Sequence, residues 1–204
     1  MNIIYLLFHG LSPYSGISKK ILHQVKGFEA CGHRVSLCTY SIADNGHRVR
    51  MINNEIIEDY GTGKPAAAKR RVSYQCIYRY AVTHQVELIY VRSFHNANPF
   101  TIRLFSILRI AGIKIAMEIP TYPYDSEYAG FPLVTRLGIQ VDKVFRKTLA
   151  KHVNAIVTFS DYHCIFGQRT IQISNGVDFD SIPLKKTVAK NTYVIHQLGV
   201  AEEH

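Results

Sequence analysis

Two polar residues at the ends of apolar runs are the first candidates for chemistry. Glu118 is a carboxylate within an otherwise apolar run, so it needs either a structural ion-pair partner or a polar ligand. Arg92 directly follows another apolar run, and His95 comes three residues later. An arginine fork binds phosphate, and an imidazole can donate a hydrogen bond or act as a base, although His95 fits an ordinary surface loop equally well. These residue types indicate a ligand that is anionic or rich in hydroxyl groups.

A second candidate is the pair Ser15-Gly16, which precedes a predicted helix. The N-terminus of a helix presents unpaired N–H groups and the positive end of the helix dipole, and both favour a phosphate. A glycine kept only for a turn explains the same residues. The sequence contains neither the GxGxxG fingerprint of dinucleotide-binding proteins nor a GxxxxGK[ST] loop. A nicotinamide dehydrogenase is therefore disfavoured.

Further candidates lie in loops that follow predicted strands. Tyr122, in a proline- and tyrosine-rich loop, suits either a stacking platform for a sugar ring or base, or plain loop packing. Asp125, Ser160 and Asn175 are the remaining polar candidates. We find no Ser/His/Asp or Cys/His nucleophile arrangement, no paired carboxylates of a glycosidase and no metal-ligand spacing. The sequence thus predicts no metal and no cofactor.

Strands that alternate with helices must position these residues. Short apolar runs bounded by polar or glycine residues predict strands buried on both faces of a parallel sheet: 3–8, 35–40, 87–91, 114–119, 155–159 and 170–174. Amphipathic or apolar stretches between them predict helices on both faces, hence a Rossmann-like, doubly wound fold. Because ligands bind at the carboxyl ends of such strands, the candidate residues should gather along one edge.

Three regions call for more specific predictions. The pair Asn53-Asn54 between apolar positions predicts a hairpin. The alanine-rich stretch 64–85 predicts one long helix, and residues 162–166 predict a short helix. We expect one domain over residues 1–183, followed over 184–204 by a linker and the first strand of a truncated second domain.

The composition adds a basic surface. Lysine and arginine outnumber aspartate and glutamate by 24 to 15, giving a net charge of +9, which favours anionic partners such as nucleotides or phospholipid head groups. Solvated helix faces account for most of these charges, and a membrane surface is the alternative. The four scattered cysteines suggest buried thiols in a reducing compartment. We predict a cytoplasmic protein, with peripheral contact at the inner face of the membrane as an option, and no nucleic-acid partner.

Several short motifs, taken in order, resemble a known family. The opening strand is followed by the Ser15-Gly16 loop and by a helix that ends in Gly32-His33-Arg34-Val35. A later strand runs into Ser160, and Asn175-Gly176-Val177-Asp178 follows. Together these stretches resemble the N-terminal lobe of glycosyltransferase family four, which has the two-lobed GT-B fold.

The resemblance implies that this lobe binds the acceptor, while a second lobe holds most of a nucleotide-sugar donor. It implies metal-independent transfer with retention to a lipid-linked or polysaccharide-precursor acceptor, with the leaving diphosphate helping to deprotonate it. Gly16 matches the glycine near the donor diphosphate, and Arg92 stands where many relatives have histidine. Glu118 and residues 122–125 line the cleft by analogy. This lobe alone is expected to be inactive. The alternative is a non-catalytic carbohydrate- or nucleotide-binding module.

Overall fold

The protein is described by a computed structural model that covers residues 1–12, 14–92, 96–123 and 133–174, without the side chains of 134 and 135. Strands and helices alternate through these ranges. The strands are β1 (Asn2–Leu6), β2 (Arg34–Ile42), β3 (Arg48–Ile52), β4 (Glu55–Asp59), β5 (Leu88–Arg92), β6 (Lys114–Ile119), β7 (Ala155–Thr158), β8 (Cys164–Ile165) and β9 (Gln168–Gln172). The helices are α1 (Gly16–Ala30), α2 (Gly63–Val72), α3 (Gln75–Thr83), α4 (Pro99–Ile110) and α5 (Leu133–Ala150).

The strands form one mixed, mostly parallel sheet. Their order is β4-β3-β2-β1-β5-β6-β7-β9-β8. The six strands from β2 to β9 in this order run parallel to one another, whereas β3, β4 and β8 pair antiparallel at the two sides. The predicted α/β class with a mainly parallel sheet is therefore confirmed.

Strand β1 is buried on both faces of the sheet, which explains its continuous apolar run. Ile4 and Leu6 belong to a core that also contains side chains of α3, α4 and α5. Their neighbours Ile3 and Tyr5 point to the other face, where they join a smaller core with Ile21 of α1. Helices thus contribute to the cores on both faces of the sheet.

The hairpin predicted around Asn53-Asn54 is confirmed. It connects β3 to β4, and both asparagines adopt positive φ angles, 48° and 71°. Asparagine tolerates this left-handed conformation better than most residues, which is why the pair marks a two-residue hairpin turn.

The prediction of one helix over 64–85 is wrong, because the chain forms α2 and α3 with a break between them. Ser73, which follows α2, is extended, with φ −103° and ψ 107°. The Tyr74 ring packs edge-on against Phe8 at a centroid distance of 5.7 Å, and its hydroxyl donates to the carbonyl of Arg71 at 2.8 Å. The break thus places an aromatic ring in the core and satisfies a carbonyl at the helix end.

The short helix predicted for residues 162–166 is also wrong. Strands β8 and β9 form a hairpin there, with Phe166 and Gly167 in its turn. Both residues have positive φ, 51° and 81°, as a two-residue hairpin turn requires. Gly167 alone favours such a turn, whereas a bulky residue such as Phe166 rarely adopts a positive φ, so the pair does not predict a hairpin.

The cysteines divide into two classes, so the prediction of buried thiols holds for only two of them. Cys38 and Cys76 are buried, whereas Cys31 and Cys164 are exposed. Burial raises the pKa of Cys38 to about 11, so this thiol stays protonated at neutral pH. Neither buried thiol has the environment of an activated nucleophile.

The N-terminus of α4 is fixed by a capping box. The side chain of Asn98 accepts hydrogen bonds from the backbone of Phe100 and Thr101, and the Thr101 hydroxyl accepts one from the backbone of Asn98. We expect Asn98→Ala to lower the free energy of unfolding by about 1 kcal/mol, measured by urea denaturation. Thr62 at the start of α2 makes no capping hydrogen bond with its side chain, so Thr62→Ala is the matched control. Equal losses in both variants would contradict the assignment.

Candidate functional site

The edge at which the parallel strands end, here called the carboxyl edge, collects most of the predicted site residues that the structure describes. Chain order reverses at β1: it passes to β2 on one side, then to β5, β6 and β7 on the other. In open α/β sheets, ligands bind outside the carboxyl ends of the strands at such a reversal. The carboxyl ends of β1 and β5 flank this point.

Glu118 and Arg92 form a buried ion pair beside the carboxyl edge. Glu118 is fully buried and lies opposite Arg92 in the β5–β6 register. Its Oε1 accepts a hydrogen bond from Nη1 of Arg92, while its Oε2 accepts from the Tyr90 hydroxyl at 2.7 Å and from the Gln24 amide at 2.8 Å. Both carboxylate oxygens are thus occupied by the protein itself.

The tyrosines of this group extend it into the core. The Tyr5 hydroxyl donates to Oε1 of Gln24 at 2.6 Å, and the rings of Tyr5 and Tyr90 lie 5.1 Å apart. Burial raises the pKa of both phenols, and the charge of Glu118 raises it further, so both remain protonated donors. We call Tyr5, Gln24, Tyr90, Arg92 and Glu118 the Glu118 network. It ties α1 to three neighbouring strands.

Ser15 and Gly16 start α1. The Ser15 side chain accepts a hydrogen bond from the backbone of Ser18 at 3.4 Å, as a helix cap does. Gly16 is exposed, and a Cβ atom built on it would meet no atom within 4 Å. The φ angle of Gly16 is not positive. Neither local packing nor backbone conformation therefore requires glycine at this position.

Tyr122 and Ser160 lie together after β6 and β7. The backbone N–H of Tyr122 donates to the Ser160 hydroxyl at 3.0 Å. The Tyr122 ring packs edge-on against Tyr162 at 5.0 Å and against Phe166 at 5.5 Å. These contacts hold Tyr122 against Phe166 in the turn of the β8–β9 hairpin and against Tyr162 just before β8, so the packing role considered for Tyr122 is present.

Comparison with known proteins gave no match to a family model, a curated protein or a solved structure. The assignment of a function therefore depends on the site geometry and on the sequence resemblance. His95, Asp125 and Asn175, the other predicted site residues, lie outside the described residues. Among the described residues, no group of three metal-ligating side chains lies together.

Two residues of α1 were missed as site candidates. Lys20 lies over the ring of Phe159, with Nζ 3.4 Å from the ring centroid, and burial lowers its pKa. Gln24 bonds to Glu118, as described above. Gly16, Lys20 and Gln24 recur every four residues and thus share one helix face, a spacing that could have grouped them with the glycine loop.

A cavity of about 480 Å³ lies beside α1, β2 and β3, and it reaches the loop after β1 at Leu11. Glu29 is its single charged lining residue, alongside mostly apolar or neutral neighbours such as Val25, Leu37 and Met51. It does not reach the Glu118 network. The expected ligand is anionic, and the lining of this cavity contains no cation, so the start of α1 at the carboxyl edge is the better candidate site.

Proposed function

We propose that this chain is the acceptor-side lobe of a nucleotide-sugar-dependent glycosyltransferase of the two-lobed GT-B type, built on a doubly wound sheet. The observation that carries the proposal is Gly16, an exposed glycine at the start of α1 that no internal contact or backbone angle requires. The sequence resemblance matches this glycine to the one near the donor diphosphate. The reversal of chain order at β1 supports the same location.

In the proposed reaction this lobe orients the substrates and stabilises the negative charge of the donor diphosphate. The first amide groups of α1, at Gly16 and Ile17, precede the intrahelical hydrogen bonds and point out of the helix end. They suit a diphosphate, because the helix dipole adds favourable potential there. Retaining transfer needs no enzyme nucleophile when the leaving diphosphate takes the acceptor proton. Orientation and electrostatic stabilisation then supply the rate.

The Glu118 network has a positioning role in this proposal. Its carboxylate oxygens are filled by Arg92, Tyr90 and Gln24, so Glu118 holds α1 in place instead of contacting the acceptor. Arg92 neutralises the carboxylate. The helix whose N-terminus faces the donor is thereby anchored by a buried hydrogen-bond network.

The test is a donor screen on the full-length gene product. Uridine, guanosine and adenosine diphosphate sugars are each combined with neutral, phosphorylated and lipid-linked sugar acceptors, and release of the nucleoside diphosphate is measured. The proposal predicts release that depends on both partners. Donor-independent chemistry, or tight binding of a nicotinamide cofactor, would contradict it.

Part of the surface also supports contact with a membrane, where lipid-linked acceptors reside. Four apolar residues of α5 are exposed at helical spacing: Leu133, Leu137, Val141 and Val144. Arg136 and Lys147 are exposed on the same helix, and its acidic residue, Asp142, is buried. An apolar stripe with basic neighbours is typical of helices that lie on anionic bilayers. No helix within the described ranges has the length and apolar character needed to cross a bilayer.

We expect the protein to sediment with vesicles of phosphatidylcholine and phosphatidylglycerol, and Leu137→Glu to reduce the bound fraction at least about fivefold by removing apolar contact and adding a repelled charge. Ile110→Glu is the matched control, because Ile110 on α4 is 83% exposed but lies outside the stripe. Equal binding by the Leu137 and Ile110 variants would contradict a membrane role. A Leu137-dependent dimer would instead assign the stripe to contact between two copies.

A further inference from the structure

Three arginines gather around Tyr40 on the face of the sheet that α2 covers. Arg48 and Arg50 come from β3, and Arg70 comes from α2. The guanidinium of Arg48 donates to the Tyr40 hydroxyl at 2.7 Å, and that of Arg70 stacks on the Tyr40 ring with Cζ 4.2 Å from its centroid. Arg50 is 1% exposed and donates to the carbonyl of Leu7 at 2.7 Å. We call Arg48, Arg50 and Arg70 the arginine cluster.

The arginine cluster has no carboxylate partner among the described residues. The ion pairs between described residues join Met1 to Glu87, His47 to Asp59 and Arg92 to Glu118, all within 4.0 Å, and none of them includes an arginine of the cluster. Glu58 stands opposite Arg50 in the β3–β4 register, yet the two side chains form no ion pair. The buried Nε atoms of Arg50 and Arg70 make no hydrogen bond with any described residue.

Such an arrangement is unfavourable without an anion. Buried charges are normally paired, and the same chain pairs its other buried arginine, Arg92, with Glu118. Burial lowers the pKa of Arg70, and although Tyr40 opposes this shift, the positive charges of Arg71, Arg48 and Arg50 add to it. Arg50 is thus buried without a carboxylate, and Arg48 and Arg70 place two more guanidinium groups on the neighbouring Tyr40, so the arginine cluster favours an anion from outside.

The position of the arginine cluster matches a ligand site. Leu7, whose carbonyl Arg50 contacts, directly follows β1, the strand at which chain order reverses. The loop after β1 passes close to the backbone of Tyr40. A Cβ atom on Gly10 of this loop would lie 2.8 Å from the carbonyl oxygen of Tyr40. The cluster thus lies beside the loop that leads to Gly16. Guanidinium groups match phosphate oxygens in both charge and geometry.

We propose that the arginine cluster binds a phosphoryl group, and that the acceptor of this protein is phosphorylated. The second half of this statement rests on the proposed transferase function, whereas phosphoryl binding itself does not. A soluble sugar phosphate and a prenyl phosphate carry the same group. The cluster binds either through that group, with Arg70 and Arg48 as the accessible forks and Arg50 as the buried charge behind them.

The experiment is calorimetric titration of the protein with inorganic phosphate, glucose 6-phosphate and geranyl phosphate, with glucose as the uncharged control. We expect binding of phosphate-bearing probes and not of glucose. Arg70→Gln and Arg48→Gln should each weaken binding about tenfold or more. Arg79→Gln, which removes an exposed arginine of α3, should leave it unchanged. Comparison of the glucose and geranyl compounds identifies the source of the phosphoryl group.

Thermal unfolding provides a second readout that does not depend on transfer. Phosphate should raise the Tm of the wild-type protein and of Arg79→Gln, and this rise should be lost in Arg70→Gln. Absence of phosphate binding in the wild type, or an equal loss in Arg79→Gln, would overturn the site. Displacement of phosphate by uridine diphosphate would overturn its assignment to the acceptor. Transfer to a neutral acceptor without phosphate binding would overturn this inference and leave the transferase proposal standing.

Discussion

Glu118→Gln lowers the free energy of unfolding by about 3–5 kcal/mol, because it leaves the positive charge of Arg92 buried without a counterion. Glutamine has the shape of glutamate and can keep its oxygen toward Tyr90 and Gln24, but its amide N–H then faces the Arg92 guanidinium. The loss therefore combines the missing charge with the lost acceptor for Arg92. Urea denaturation followed by circular dichroism measures this result. An effect below about 1 kcal/mol would show that water or another group compensates Arg92.

A double variant separates charge from packing. Arg92→Met combined with Glu118→Gln removes both charges and keeps the acceptor for Tyr90, so it should recover most of the stability that the single change costs. As a control, Asp59→Asn removes the exposed pair with His47 and should change the stability far less. If the double variant were as unstable as the single one, the network would depend on the carboxylate itself and not on charge balance.

The second large effect concerns Gly16. In the full-length protein we expect Gly16→Gln to reduce kcat/KM by about 100-fold, because under the proposed function a side chain at the start of α1 would displace the donor diphosphate. The unfolding free energy should stay the same or rise slightly, since a Cβ at this position meets no atom of the protein within 4 Å.

Gly27→Gln is the matched control for this prediction. Gly27 is also exposed on α1, and a Cβ there meets no atom within 4 Å either, but it lies three helical turns away from the carboxyl edge. Kinetics of transfer and urea denaturation should be measured on both variants. Wild-type rates for Gly16→Gln would remove this residue from the donor site. Equal losses in both variants would point to a general effect on α1.

Local patterns were enough to predict the elements that depend on local causes. The apolar run of β1 predicted a strand buried on both faces, and Asn53-Asn54 predicted a hairpin because asparagine tolerates positive φ. The break between α2 and α3 was not predictable in this way. It depends on Tyr74 packing against Phe8, and nothing in the helical composition around Tyr74 indicates that contact.

The site shows the same division between local and long-range causes. A carboxylate in an apolar run predicted that Glu118 needs a partner, but not that three side chains would fill both of its oxygens. Gln24 lies 94 residues away in sequence, so its bond to Glu118 follows from the pairing of β1 with β5 and β6 and from the packing of α1. The arginine cluster was not predictable from the sequence for a related reason. Its arginines come from β3 and α2, and only the packing of α2 on the sheet brings them together at Tyr40.

The central claim is that the carboxyl edge of this sheet serves sugar transfer from a nucleotide donor. It is tested most directly by measuring nucleoside diphosphate release and the anomeric configuration of the product for the full-length protein, with donor and acceptor supplied separately and together. We predict release only when both are present, with retention at the transferred carbon. A protein that binds nucleotide sugars, yet releases no diphosphate above the donor-only rate with any acceptor of the panel, would contradict the claim and favour a binding module.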